Sequence, residues 1–167
     1  MSDQNVVLVG FMGTGKTSVA RKLAERLNRE FLELDAIIEK KEGISIKEIF
    51  EKNGEPYFRK AEKDVIKEVS EKKGTVISAG GGAVIDEENL NRLKKNSIIV
   101  CLEASPDVIL KRTKNNTRRP LLNVSDPKKT IEELLKQRDP YYKKSDHIIN
   151  TDNLTIDQVI DQILTLL

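Results

Sequence analysis

The residues with the clearest chemistry lie near the N-terminus, where Gly10-Phe11-Met12-Gly13-Thr14-Gly15-Lys16-Thr17 fits G-x-x-x-x-G-K-[ST] without departure. Glycines in that spacing let successive backbone N–H groups curl around phosphate oxygens, and a helix start behind them adds its positive dipole end. Lys16 can reach the β- and γ-phosphates of a nucleotide, and the Thr17 hydroxyl can ligate Mg²⁺. The contacts expected for a nucleotide's phosphates are therefore Gly13, Thr14, Gly15, Lys16, Thr17 and Ser18. A glycine-rich turn that binds nothing is the competing reading, and the complete motif weighs against it.

Four further groups could face such a cradle. Glu33 and Asp35 are spaced to project to one side of a strand near its end. Asp35 could equally cap the helical stretch that follows it. If a hydroxyl must be oriented or deprotonated, a carboxylate is the natural choice, because the lone histidine, His147, falls in a strand-like run and reads as structural. Gly80-Gly81-Gly82 follows an apolar run and suits either a ligand pressed on bare backbone or a flexible turn. Six of the nine glycines lie in these two loops alone, so glycine is concentrated where backbone must be approached. Arg59 stands near a helix start after Gly54-Glu55-Pro56, and Arg138 precedes Asp139-Pro140, where proline should end or bend its helix. Two arginines near helix ends can grip a carboxylate bidentately, although among 29 basic residues most are solvated. Last, the basic, aperiodic stretch 111–122 reads either as a surface loop or as a lid that brings an arginine over the phosphates.

The elements needed to hold these groups are visible as short apolar runs at 5–9, 31–34, 75–79, 97–102 and 147–150. Between them lie helical periodicities such as Val19, Ala20, Leu23, Ala24 and Leu27. Ser45 with Glu48 has capping-box spacing, and Ser105-Pro106 and Asp126-Pro127 each put a capping side chain before proline at the first helical position. Strands alternating with helices predict an α/β fold, a three-layer α/β/α arrangement around a parallel sheet. Ligands then bind beyond the carboxyl ends of the strands, where the glycine loops fall.

Bulk properties narrow the class. With 167 residues, 38% hydrophobic and 34% charged, the chain is long enough for one domain, 1–167, with a real core. A formal charge of +2 is too slight for a nucleic-acid partner. No apolar run nears the ~20 residues of a membrane span. No positive n-region opens the chain, and Cys101, the single cysteine, reads as a small buried hydrophobe. A cytoplasmic setting is expected. No Asn-Lys-x-Asp segment is present to read guanine, which argues against a nucleotide switch that shares the cradle.

Taken together, the constellation resembles the shikimate kinase family over nearly the whole chain. The residues that carry the resemblance are 10–17, Asp35, Gly54-Glu55-x-x-Phe58-Arg59-x-x-Glu62, Gly80-Gly81-Gly82, Arg119-Pro120-Leu121-Leu122 and Arg138-x-Pro140-x-Tyr142. It implies a P-loop kinase fold with a five-stranded parallel sheet and a mobile lid at about 112–125. The implied reaction moves the ATP γ-phosphate to the 3-hydroxyl of shikimate, with Mg²⁺ as cofactor, in the chorismate route to aromatic amino acids. Lys16, Asp35 and Arg119 would be catalytic. Asp35, Arg59, Gly80, Gly81, Gly82 and Arg138 would bind shikimate in a region at about 33–62 and beyond, with Phe50 and Phe58 flanking the ring. Arg112 and Arg119 would join the ATP site, Arg112 beside the adenine with the segment 153–156 near it. The family often has Asp-x-Asp where this chain reads Glu33-Leu34-Asp35; the implied contact of Glu33 with Mg²⁺ is through water, and Glu33 departs from the pattern by one methylene while keeping the charge. The implied partners are ATP and shikimate, and the implied state is a monomer. A relative acting on another hydroxy acid such as gluconate is the alternative enzyme.

Overall fold

The computed structural model describes residues 2–114 and 124–167. Among them, five strands form one sheet, all neighbours parallel: β1 (Asn5–Val9), β2 (Glu30–Glu33), β3 (Thr75–Ser78), β4 (Ser97–Glu103) and β5 (His147–Asn150), in spatial order β2-β3-β1-β4-β5. The registers are regular, with Val6 opposite Val76 on β3 and opposite Ile98 on β4. Strand limits differ from the sequence reading by a residue or so. β2 starts and ends one residue early, β3 ends at Ser78, and β4 runs on to Glu103.

Strand residues alternate faces, so the central strand feeds two cores at once. Val7 and Val9 of β1 join one apolar cluster with Ile77, Ile99 and Cys101, whereas Val6 and Leu8 join the other with Val76, Val100 and Leu102. The second cluster is closed by α1 (Lys16–Leu27) through Val19, Ala20 and Leu23, and by α7 (Ile156–Leu166) through Val159, Ile160 and Ile163. The first is covered by α2 (Leu34–Glu42), α3 (Ile46–Val69), α4 (Glu87–Lys94), α5 (Pro106–Thr113) and α6 (Pro127–Tyr142). A sheet buried on both faces needs apolar residues at nearly every strand position, which is why these strands read as continuous runs.

The capping signals act as expected. Ser45, Ser105 and Asp126 accept from the backbone amides of Glu48, Val108 and Lys129 at the starts of α3, α5 and α6. Thr155 and Gln158 close a full capping box on α7. One local expectation holds and one changes. Gly54 adopts φ 81° and ψ 171°, so α3 is two helical pieces joined at a kink, and Arg59 lies just inside the second. Pro140 does not stop α6, which continues to Tyr142. It sits in the last turn, where its missing N–H costs a single helical bond and the chain ends the helix two residues later. Among the described residues no helix is long and apolar enough to cross a membrane.

Candidate active site

Three loops leave the carboxyl ends of β1, β3 and β2 side by side, and they carry the residues singled out above. After β1 the chain turns through Gly10, Gly13 and Gly15, all at positive φ, into α1. Gly10 has no room for a side chain, since a Cβ there would stand 2.3 Å from the Leu102 carbonyl oxygen. Gly15 is the N-cap of α1 and offers no capping side chain, so the first-turn amides are not taken up locally. Lys16 is buried, and its ammonium donates to the loop's own carbonyls at Gly10 (2.8 Å) and Phe11 (2.9 Å). The Thr14 hydroxyl also donates to Phe11 (2.8 Å), which braces the loop from inside. The Thr17 hydroxyl donates to Glu33 Oε1 at 3.1 Å.

A cavity of about 230 Å³ opens over this loop, walled by Gly13, Gly15, Lys16, Thr17, Ser18, Glu33, Asp35, Gly80, Gly81 and Arg112, among others. Arg112, at the end of α5, donates to the Gly13 carbonyl (3.3 Å) and to both oxygens of Thr151 (3.3 and 3.4 Å). It thereby links the cradle to the segment after β5. Glu33 and Asp35 do face one cavity, but not by strand alternation. β2 ends at Glu33 and α2 begins at Leu34, so Asp35 is the second residue of a helix. It is not the cap either, a position held by Glu33. A carboxylate in the first turn is favoured there by the helix dipole.

The triple glycine is where the site converges. A Cβ on Gly80 would stand 3.1 Å from Glu62 Oε2 and 3.2 Å from Asp35 Oδ1. One on Gly81 would stand 3.1 Å from Arg138 Nη1 and 3.4 Å from the Met12 amide nitrogen. One on Gly82 would stand 2.5 Å from Arg59 Nη2. Four charged side chains and the phosphate loop therefore meet over twelve backbone atoms that carry no side chain. A second cavity, about 700 Å³, adjoins on the far side and is lined by Arg59, Glu62, Gly82 and Arg138, with Ile85, Leu134 and Tyr141.

Arg138 is 4% exposed and lies over the Phe11 ring at 5.4 Å, with Nη1 buried and without a hydrogen-bond partner among the described residues. Composition alone pointed to a solvated arginine, and the fold buries it. Arg59 pairs with Glu62 (2.9 Å) and Glu55 (3.3 Å) and lies over Phe58 at 5.1 Å. Phe58 and Phe50 pack against each other with centroids 4.9 Å apart and ring planes tilted by 40°.

Glu62 is the residue that sequence reasoning left without a role. It is 1% exposed, accepts from Arg59 through Oε1, and has Oε2 buried and without a hydrogen-bond partner among the described residues. Burial pushes its carboxyl above the usual 4.5 and the Asp35 charge adds to this, against the pull of Arg59 and Arg138. Its i, i+3 spacing from Arg59 was the available signal. Cys101 is buried in β4 and burial pushes its thiol up to about 12, which makes it inert. His147 opens β5, away from the residues that wall either cavity. Arg119, Pro120, Leu121 and Leu122 lie outside the described residues. Of the remaining lid positions, Arg112 and Thr113 complete α5, and Lys114, Val124 and Ser125 form turns or bends.

Parallel strands in the order 2-3-1-4-5, with a phosphate loop at the end of the central one, define the phosphate-loop kinases. A cavity walled by that loop with Glu33 and Asp35, beside a second one lined by Arg59, Glu62 and Arg138, suits the members that act on small molecules. The sequence model of the family described as shikimate kinase matches residues 12–167, and the chain belongs to that family. A shikimate kinase from Thermodesulfovibrio yellowstonii is 48% identical over 161 residues, covering 96% of this chain and 93% of that one. The structure of shikimate kinase from Acinetobacter baumannii in complex with shikimate superimposes with a TM-score of 0.95 at 42% identity, covering 98% of this chain and 92% of that one. The Aquifex aeolicus shikimate kinase structure gives 0.85 at 38% identity, over 96% and 94%.

Proposed function

We propose that the chain transfers the γ-phosphate of ATP to the 3-hydroxyl of shikimate, giving shikimate 3-phosphate and ADP, on the route to chorismate and the aromatic amino acids. The observation that carries this reading is the convergence on Gly80–Gly82, which sets Asp35 with Glu62, then Arg138, then Arg59 in a row along the three glycines, with Asp35 walling the cavity over the phosphate cradle. A ring that lies on bare glycine backbone, with a hydroxyl at the Asp35 end and a carboxylate at the two-arginine end, spans that row. An open-chain hydroxy acid has no use for a flat floor of three glycines.

Each residue has a share in the transfer. The first-turn amides of α1 and the loop glycines hold the phosphates. The Lys16 ammonium exchanges the Gly10 and Phe11 carbonyls for β- and γ-phosphate oxygens. Asp35 orients the acceptor hydroxyl and takes up its proton as the bond to phosphorus forms. Arg59 and Arg138 hold the carboxylate with charge-assisted bonds, which fixes the distance between hydroxyl and phosphate. Arg119, from a lid spanning about 112–125, adds positive charge to the transferring group, and Arg112 stacks beside the adenine. Residues 33–62 form the acceptor-binding part of one domain that spans 1–167.

Mg²⁺ fits the oxygen donors present. The Thr17 hydroxyl and the Glu33 carboxylate stand 3.1 Å apart at the cradle. Among the described residues no cluster of three or more His, Cys, Asp or Glu could hold a metal by itself. That is the donor set of an ion that arrives on nucleotide phosphates and keeps most of its water. Thr17 would hold it directly and Glu33 through water, and when bound it neutralises phosphate charge. We place the enzyme in the cytoplasm as a monomer, which cell fractionation and size-exclusion chromatography check.

The deciding experiment is a coupled assay for ADP release with ATP, Mg²⁺ and shikimate, gluconate or nucleoside monophosphates in turn. Shikimate should give the highest kcat/KM by far. Turnover of another acceptor without turnover of shikimate would overturn the reading, and tight nucleotide binding with no acceptor-dependent ADP would point to a switch.

A further inference from the structure

Tyr142 lies at the end of α6, four residues after Arg138 and so on the same helix face, and both side chains are buried. Its hydroxyl donates to the Gly81 carbonyl. Gly81 is the glycine whose Cα faces Arg138 Nη1 and the phosphate loop, and its successor Gly82 faces the Arg59 guanidinium. We propose that Tyr142 is a positioning residue for the acceptor carboxylate, holding the Gly81–Gly82 peptide in place between the two arginines.

The physical argument starts from the peptide unit. It is planar and trans, so fixing the Gly81 carbonyl also fixes the direction of the Gly82 N–H on its opposite edge. The Ala83 and Ile85 amides donate to the Gly80 and Gly82 carbonyls, but the peptide between two adjacent glycines has no side chain to stop it rotating within that turn. A bond from a rigid aromatic on a helix removes that freedom where two guanidinium groups must be met at fixed distance. Burial pushes the Tyr142 phenol up to about 12, against the pull of nearby Arg138, so the hydroxyl keeps its proton and stays a donor through the working pH range. Arg138 and Tyr142 thus work as one unit on α6, the first on the carboxylate and the second on the backbone beneath it.

The inference rests on the acceptor proposed above, and the test separates the two. Tyr142→Phe keeps the ring and removes the hydroxyl, both its bond to Gly81 and its contact with Arg138. KM for shikimate should rise about tenfold with kcat and KM for ATP nearly unchanged, as expected from one buried hydrogen bond. The carboxamide of shikimate, which lacks the anionic group, should lose far less, so the preference for acid over amide should shrink in the variant. Equal losses on acid and amide, an unchanged KM for shikimate, or a lowered melting temperature with unaltered acceptor kinetics would each overturn the role. If the parent enzyme itself does not turn over shikimate, the proposed function fails instead.

Discussion

Replacing Gly82 by alanine tests the acceptor site through a single methyl group. The added Cβ would sit 2.5 Å from Arg59 Nη2, 2.7 Å from Nη1 and 2.8 Å from Cζ. Carbon and nitrogen prefer at least ~3.5 Å, so the guanidinium must retreat by about 1 Å. A displacement of that size at a substrate-orienting group costs on the order of a hundredfold in turnover efficiency. The bonds at stake give a similar figure, since charge-assisted hydrogen bonds contribute about 1.5–3 kcal/mol and each ~1.4 kcal/mol is tenfold. The fold should barely notice. Gly82 has φ −103°, which alanine adopts freely, and the atoms it meets are the far end of a flexible side chain. Alanine also restricts the unfolded chain, a gain of about 0.4–1 kcal/mol. The expected result is a loss of about a hundredfold in kcat/KM for shikimate, an unchanged KM for ATP, and a melting temperature close to the parent's. Steady-state kinetics with each substrate varied, together with a thermal melt, measure all three. An unmoved kcat/KM for shikimate would refute the clamp, and an equal rise in KM for ATP would show that the glycine serves the nucleotide.

Gly10→Ala should behave in the opposite way. Its Cβ meets backbone at 2.3 Å and its φ is 135°, so the soluble folded yield should collapse; a variant that melts like the parent contradicts this packing. Asp35→Asn keeps shape and removes charge, so kcat should fall about 10²- to 10⁴-fold while KM for ATP holds. A large rise in KM for ATP would move Asp35 to the nucleotide side. Glu62 supplies a pH test. Its folded-state carboxyl is raised above 4.5, so its contribution to stability is fully present below 4.5 and is lost as pH rises through that raised value. Urea unfolding of Glu62→Gln and parent at pH 4 and pH 7.5 should therefore show the variant gaining on the parent at the higher pH. A shift in the parent's favour would mean that Arg59 and Arg138 outweigh the burial of the charge.

What the sequence by itself determined is what depends on neighbours along the chain. The phosphate loop is eight consecutive residues, its conformation is set by glycines at positive φ, and its place between strand and helix follows from local periodicity. Helix starts at Ser45, Ser105 and Asp126 were legible for the same reason, since a cap and the amide it serves are three residues apart or fewer. The roles of Asp35, Arg59 and Arg138 needed the family resemblance, because a charged side chain in a charged sequence has no local mark of function.

Only the tertiary structure decided which of those charges are buried. Arg138 comes from α6, Arg59 and Glu62 from α3, and Asp35 from α2, and they meet because β3, third in the chain, lies between β1 and β2 and delivers three glycines to their midst. Strand alternation put Glu33 and Asp35 on one side for the wrong reason; the chain turns helical at Leu34, and the helix start brings Asp35 round. The burial of Glu62, whose spacing from Arg59 was the one local signal, and the reach of Tyr142 sixty-one residues back to Gly81 were invisible for a shared cause. Burial and long-range hydrogen bonds depend on which surfaces the sheet order brings together, and no window of neighbouring residues contains that information.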